Sequence, residues 1–291
     1  MSGYDLRSLN GRIEEWLGIL PAMASSPTEI ASDGITSSQP SKPWAIVTGG
    51  SRGLGFETAR GLISAGFRTV LVAKDEGRLQ RARKELAAIA PSDDFVFTHA
   101  IDFEATTPEA LRQIQNPARE ILEKFQPLWG LPKVVVIAHG VMSAKMSKTL
   151  RTDVDEWRRV MSINLDSVFA FVNLYGTVMS DAREGRIIIY SACLGRMSGP
   201  GNAGGLAPYR ISKAGVNALV RNLAHESGHG SRGFLIDAVC PNHSRTDMGG
   251  DDAPRSAAEG AACAIWLATR TFTPGSDQTG LLWEDNEVVP W

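Results

Sequence analysis

From Trp44 onward the chain alternates between short apolar runs and longer stretches in which apolar residues recur every three or four positions. The runs Ala45-Ile46-Val47, Phe67 to Ala73, Phe95 to Ile101, Lys133 to Ala138, Arg186 to Tyr190 and Phe234 to Pro241 are short and bounded by Gly, Pro or charged residues, so each predicts a strand. Helical spacing links Phe56, Ala59, Leu62 and Ile63, and it predicts helices from Glu76 to about Ala90, from Pro108 to Phe125 with an interruption at Pro117, around Trp157 to Ile163, and from Ala261 to Leu267. A last strand is expected near Thr279 to Trp283. Apolar strands separated by helices predict a parallel sheet covered on both faces. The expected architecture is a single doubly wound α/β domain over 44–291, with a parallel sheet of about seven strands.

Residues 1–43 precede the first strand and read as an extension. Leu6, Leu9, Ile13, Trp16, Leu17 and Leu20 fall near one helical face, and Ser25 to Pro43 is rich in Ser, Thr and Pro, as a linker is. The expected role is a short helix packed on the body or on a neighbouring subunit, which leaves a homo-oligomer open. Its polar face is not basic, which weighs against a membrane-surface helix.

Composition narrows the function classes. The 291 residues suffice for one large α/β domain, and 43% hydrophobic and 21% charged residues are ordinary for a globular chain. A net charge of −2 with scattered Lys and Arg argues against nucleic acid as a partner. Cys193, Cys240 and Cys263 are odd in number and lack C-x-x-C spacing, so they read as reduced thiols of a cytoplasmic protein rather than a disulfide framework or metal site. No run of about 18 apolar residues predicts a membrane span, and the acidic N-terminus lacks a signal core.

The candidate chemistry starts at Thr48-Gly49-Gly50-Ser51-Arg52-Gly53-Leu54-Gly55, a glycine-rich turn between a strand and a helix. Glycines there permit positive φ and close approach, and the N-terminus of the new helix presents N–H groups to an anion such as a pyrophosphate. The second strand ends Val72-Ala73-Lys74 with no carboxylate before Lys74, and Arg52 projects from the turn. Two cations without an acid suit a ribose 2′-phosphate, since the acid that would bind a 2′-OH is missing. Asp75 is the counterargument, and solvated surface charge is the plainer alternative for Arg52 and Lys74.

Tyr209 and Lys213 lie four apart in Pro208-Tyr209-Arg210-Ile211-Ser212-Lys213, hence on one face of a helix. An ammonium beside a phenol is expected to lower its ordinary pKa of about 10 and so tune a proton donor. The glycine turn Gly49-x-x-x-Gly53-x-Gly55 and this Y-x-x-x-K together resemble the short-chain dehydrogenase/reductase family over about residues 44–291. The resemblance implies a Rossmann-like domain and NADP(H) as cofactor. It implies that Gly49, Ser51, Arg52, Gly53, Leu54 and Gly55 hold the phosphates, that Lys74 meets the 2′-phosphate, that Asp102 touches adenine, and that Thr246 touches the carboxamide. Tyr209, Lys213 and Asn164 become the catalytic set, with Asn164 holding a water in a proton relay and Lys213 also binding ribose.

The chain also departs from the family pattern. Where Asn-Asn-Ala-Gly is usual after the fourth strand it has Ile137-Ala138-His139-Gly140, so His139 either replaces a tethering amide, donates to the cofactor or fills space. Aligned on Gly195, the usual catalytic serine is Ala192. Ser191 is expected to face the other way by strand alternation, and Cys193 and Ser198 lack the spacing to replace it. Pro-Gly after the sixth strand becomes Pro241-Asn242. The expected activity is hydride transfer from NADPH to a carbonyl of a small molecule, with Tyr209 donating the proton. The rival is a non-redox protein that uses the same pocket for cyclisation, elimination or scaffolding.

Overall fold

A computed structural model describes residues 42–105, 107–144, 147–199 and 204–291. The expected helix and linker of the N-terminal extension lie outside the described residues, apart from the last two positions. Eight strands form one sheet: β1 (Trp44–Thr48), β2 (Arg68–Ala73), β3 (Val96–Ala100), β4 (Val134–Ile137), β5 (Arg186–Tyr190), β6 (Leu235–Val239), β7 (Leu282–Glu284) and β8 (Glu287–Val289). Their spatial order is β3-β2-β1-β4-β5-β6-β7-β8. The first seven are parallel, and β8 adds an antiparallel hairpin strand that the expected seven did not include. The helices are α1 (Gly53–Ser64), α2 (Glu76–Ala87), α3 (Pro108–Trp129), α4 (Val154–Met161), α5 (Ser167–Ala182), α6 (Ala207–Glu226) and α7 (Ala257–Thr269). Pro117 does not interrupt α3, which continues through it to Trp129.

Alternation along the strands decides what each side chain packs on. Ile46, Val70, Val135, Ile137, Ile187 and Ile189 join Ile121, Phe171, Val216 and their neighbours from α3, α5 and α6. Ala45, Val47, Leu71, Val134, Val136 and Ile188 join Leu62, Leu79 and Ala264 from α1, α2 and α7. Both faces of the sheet are thus dry, which is why the strands read as unbroken apolar runs. The chain leaves β1 for β2 on one side and reaches β4 on the other. Such a reversal opens a crevice beyond the carboxyl ends of β1 and β4.

One carboxylate interrupts this core. Asp237, in the middle of β6, is buried and accepts from Trp283 Nε1 at 2.9 Å and the Leu281 N–H at 3.2 Å, with Arg270 Nη2 at 3.6 Å. Burial pushes its carboxyl up to about 6, while the surrounding donors oppose that shift. The network joins β6 to β7 and to the end of α7. Truncation leaves the indole N–H buried without an acceptor and Arg270, which keeps the Gln278 carbonyl at 2.8 Å, buried without its counter-ion, so Asp237→Ala is expected to cost about 3–5 kcal/mol in urea unfolding. Asp237→Asn, which keeps an acceptor oxygen, should cost less.

Candidate active site

The glycine turn forms one wall of the crevice. Gly49 has φ +65°, and a Cβ there would lie 2.9 Å from the Ala138 carbonyl carbon and from the His139 nitrogen. A Cβ at Gly55 would lie 2.4 Å from the Gly49 oxygen. Side chains at either position would fill the turn, so it is a cradle only glycine permits. α1 starts at Gly53 behind an extended Arg52 whose side chain makes no capping bond, which leaves the first N–H groups of the helix to an anion. A cavity of about 650 Å³ runs along this wall. Gly49, Ser51, Arg52, Gly53, Leu54, Gly55, Lys74, Asp102 and Thr246 all line it, as do Arg78, Phe103 and His139.

Its outer end is lined by ion pairs. Lys74 Nζ is 2.7 Å from Asp102, and Arg52 pairs with Asp247 in the loop after β6. Arg78 lies 3.8 Å from Asp75 and 3.9 Å from Asp247. The Asp75 carboxylate caps α2 by accepting from the Arg78 N–H at 2.8 Å, so its first task is in its own helix. All these side chains are largely exposed, and such pairs hold at most about 1 kcal/mol each, so a strong anion can replace the carboxylates. Arg78 was not among the residues expected from the motif. Its signal is position, in the first turn of the helix that leaves β2.

At the inner end, α6 carries Tyr209 and Lys213, both buried. Neither lines the cavity. Lys213 adjoins it at Gly140, where a Cβ would stand 3.7 Å from Lys213 Nζ and 3.2 Å from Asn164 Oδ1. Asn164 lies in a π-helical turn, Ser162–Asp166, between α4 and α5. Its Oδ1 accepts from the Val141 N–H at 2.8 Å, and its Nδ2 donates to the Val141 carbonyl at 2.9 Å and to Ser212 Oγ at 3.1 Å. One amide therefore holds the loop after β4 against α6. Ser143 in the same loop accepts from the Tyr209 N–H at 2.9 Å and supplies a cap for α6, whose preceding residue Leu206 has none.

Lys213 Nζ donates to the Tyr190 carbonyl at 2.6 Å and stands 5.9 Å from the centre of the Tyr209 ring. Burial brings its pKa down to about 8. The Tyr209 phenol is pushed up, first by burial and then by the charges of Cys240 and Cys193. In this structure the phenol is thus held above its ordinary value instead of below it, chiefly by burial.

The short chain dehydrogenase family model matches residues 43–256. The chain belongs to the short chain dehydrogenase family. It is 29% identical over 206 residues to 3-oxoacyl-acyl-carrier-protein reductase of Synechocystis sp., covering 70% of this chain and 75% of that protein. It is 25% identical over 296 residues to carbonyl reductase (NADPH) 1 of Mus musculus, covering 86% and 99%. A short chain dehydrogenase structure from Escherichia coli CFT073, complexed with NADPH, superposes with a TM-score of 0.69 at 18% identity, over 83% of this chain and 95% of that one.

Three departures of this short chain dehydrogenase from its family pattern now have a geometry. Asn242 takes the usual glycine's place with φ 57°, a left-handed conformation that Asn tolerates better than most residues. Ser191 Oγ donates to Asn217 Oδ1 on α6, so it is turned to the helix, and Ala192 leaves no hydroxyl at the usual serine position. His139 is a tether: Nδ1 is 2.7 Å from Thr48 Oγ1 and Nε2 is 2.7 Å from Ser167 Oγ. Ser167 gives its own hydrogen to the Ile163 carbonyl, so Nε2–H donates and Nδ1 accepts from Thr48. The ring stacks on Phe103, with centroids 3.8 Å apart and planes at 3°.

Burial, aided by the charge of Lys213, holds His139 down to about 3, against the ordinary value of 6.5. The unfolded chain takes up this proton below about pH 6.5 while the folded chain does not. The His139 contribution should therefore be level above that pH and fall by about 1.4 kcal/mol per pH unit down towards pH 3, while Asp237, raised to about 6, opposes it with the other sign below about pH 6. Urea unfolding between pH 4 and 8 (about one unit steps) checks this against His139→Asn, in which that part of the slope should vanish.

Proposed function

We propose that this short chain dehydrogenase is an NADP(H)-dependent reductase acting on a carbonyl of a small organic molecule, through a catalytic domain spanning 44–291 with 1–43 as an extension. One observation carries the reading: the cleft lined by the glycine cradle and its cations ends at Gly140, where a Cβ would stand 3.7 Å from Lys213 Nζ and 3.2 Å from Asn164 Oδ1, and Tyr209 lies one helical turn before Lys213 on α6. Two of the relatives are named as reductases, one of them for NADPH. Among the described residues no helix is long and apolar enough to cross a membrane. A cytoplasmic location rests on the usage of cysteine.

The residues present fit the cofactor. The turn from Gly49 to Gly55 would take the pyrophosphate at the start of α1, and Arg52, Lys74 and Arg78 would take the 2′-phosphate by exchanging their carboxylate partners for it. Asp102 would be released toward adenine, and Thr246 would meet the carboxamide. The cofactor, when bound, supplies the hydride. Tyr209 has no hydrogen bond to its hydroxyl among the described residues, so that O–H is available to the substrate oxygen and would deliver its proton there. Lys213 would bind ribose and balance the charge of the phenolate that remains. Asn164 keeps the loop after β4 in register with α6 and would support the water that returns the proton.

Fluorescence titration of the purified protein is expected to show tighter binding of NADPH than NADH. Replacing Arg52, Lys74 or Arg78 by Ala should weaken NADPH about tenfold or more, as loss of a charged hydrogen bond does, and leave NADH nearly unchanged. Equal affinity for the two cofactors would overturn the 2′-phosphate assignment. Tyr209→Phe should lower turnover about a hundred- to ten-thousandfold with NADPH affinity retained. Full turnover in that variant would remove Tyr209 as the proton donor.

A further inference from the structure

The three cysteines are not equivalent. Cys263 is buried in α7, and its thiol is pushed up to about 11 by burial. Cys193 and Cys240 sit together at the carboxyl ends of the neighbouring strands β5 and β6, whose last residues Tyr190 and Val239 are paired. The Cys193 N–H donates to Cys240 Sγ at 3.1 Å, which puts the two cysteines in contact. Cys193 is half-buried and Cys240 is buried, so a reagent meets Cys193 first. Closing a disulfide needs the sulfurs to move from this contact to about 2 Å. Cys193 lies in a one-turn 3₁₀ segment, Cys193–Gly195, beyond the end of β5, so that movement leaves the strand ladder intact.

The electrostatics order the two thiols. Cys193 is brought down to about 7, chiefly by the hydrogen bond from Cys240 and further by Arg196, against opposition from burial and Glu284. Cys240 is pushed up by the same hydrogen bond and by burial. Of the two, Cys193 is therefore the thiol that ionises first and Cys240 the one that keeps its proton, and a thiolate is the nucleophile.

We propose that Cys193 and Cys240 form an oxidisable dithiol beside the active site, in which Cys193 reacts with a peroxide and Cys240 resolves the product into a disulfide. The Cys193 sulfur attacks one peroxide oxygen, forming an S–O bond as the O–O bond breaks and hydroxide leaves. The Cys240 sulfur then attacks the Cys193 sulfur. The S–S bond forms, the S–O bond breaks, and the oxygen leaves as water with the Cys240 proton. Two electrons pass from the thiols to the peroxide, which ends as one water and the hydroxide of the first step, and that hydroxide takes a proton from solvent. The couple bears on the site because Gly195, in the same turn as Cys193, packs on α6: a Cβ there would lie 2.7 Å from the Lys213 carbonyl carbon.

The test does not depend on the reductase reading. The full-length reduced protein is treated with hydrogen peroxide, unfolded in iodoacetamide and mapped by peptide mass. The expected result is a Cys193–Cys240 cross-linked peptide, loss of both thiols to alkylation, Cys263 still alkylated, and recovery of all three thiols after dithiothreitol. In Cys240→Ser, Cys193 should stop at a sulfenic acid that dimedone traps. Oxygen added to wild-type Cys193 without the cross-link would overturn the proposal. So would a cross-link to Cys263, or Cys193 and Cys240 left unoxidised while Cys263 reacts.

Discussion

The structure depends on how closely the ends of β1 and β4 approach each other. Gly49 lets the β1 turn pass against the Ala138–His139 peptide, and Thr48 Oγ1 accepts from the Ala138 N–H at 3.1 Å and the His139 N–H at 3.4 Å. Thr48 then gives its hydrogen to His139, which passes the connection to Ser167 on α5. A run of side-chain hydrogen bonds thus crosses from the glycine turn to the far helical layer without water. Buried and fully paired, such a network is stiff, because each broken bond leaves a dry polar atom unpaired. The crevice keeps its width because its two walls are tied at the base.

A second tie sets the inner end of the cleft. Asn164 makes three hydrogen bonds from one amide, two of them to the backbone N–H and C=O of Val141. It can do so because the π-helical turn shifts its side chain out of the regular α register, at the expense of local helix geometry. Arg159 and Glu156 on α4 extend the same hold to the Met142 carbonyl and the Ala144 N–H. The loop after β4 is thereby fixed between α4, the π turn and the start of α6. Strand order alone would leave Tyr209 and the glycine turn as distant features, and this loop connects them.

How much of this was legible in the sequence follows the range of each interaction. The first six strands, their order of helices and the glycine turn were readable, because apolar runs and helical spacing are local and report the two dry faces of the sheet directly. β8 was not: its three residues are mostly exposed and lack an apolar pattern. The continuity of α3 was missed because Pro117 signals a break, and packing of Ile114, Ala118 and Ile121 against the sheet overrides that local preference. Arg78 and Ser143 were invisible as site residues, since each acts on a partner that only the fold brings near. The state of Tyr209 was misread for a related reason. The i,i+4 spacing places Lys213 beside it, but no helical spacing reveals the burial that holds the phenol up, or that the ammonium's hydrogen-bond partner is a carbonyl of β5.

Ala192 shows what the remaining groups are asked to do. A hydroxyl at that position would share the stabilisation of the substrate oxygen, and loss of one such donor typically slows a reaction about a hundred- to a thousandfold. Ser191 does not make up the loss, because its hydroxyl is committed to Asn217 and its strand position faces α6. Ser198 is likewise engaged, donating to the Trp291 carbonyl. On the proposed reductase reading the polarising task falls on Tyr209, whose phenol burial holds above its ordinary value. A firmly held proton makes a better hydrogen-bond donor to a neutral carbonyl at rest than a phenolate does, yet it must be released as negative charge builds on the oxygen. On that proposed reading, the site would favour substrates that carry part of the polarisation themselves, with a second electron-withdrawing group beside the carbonyl.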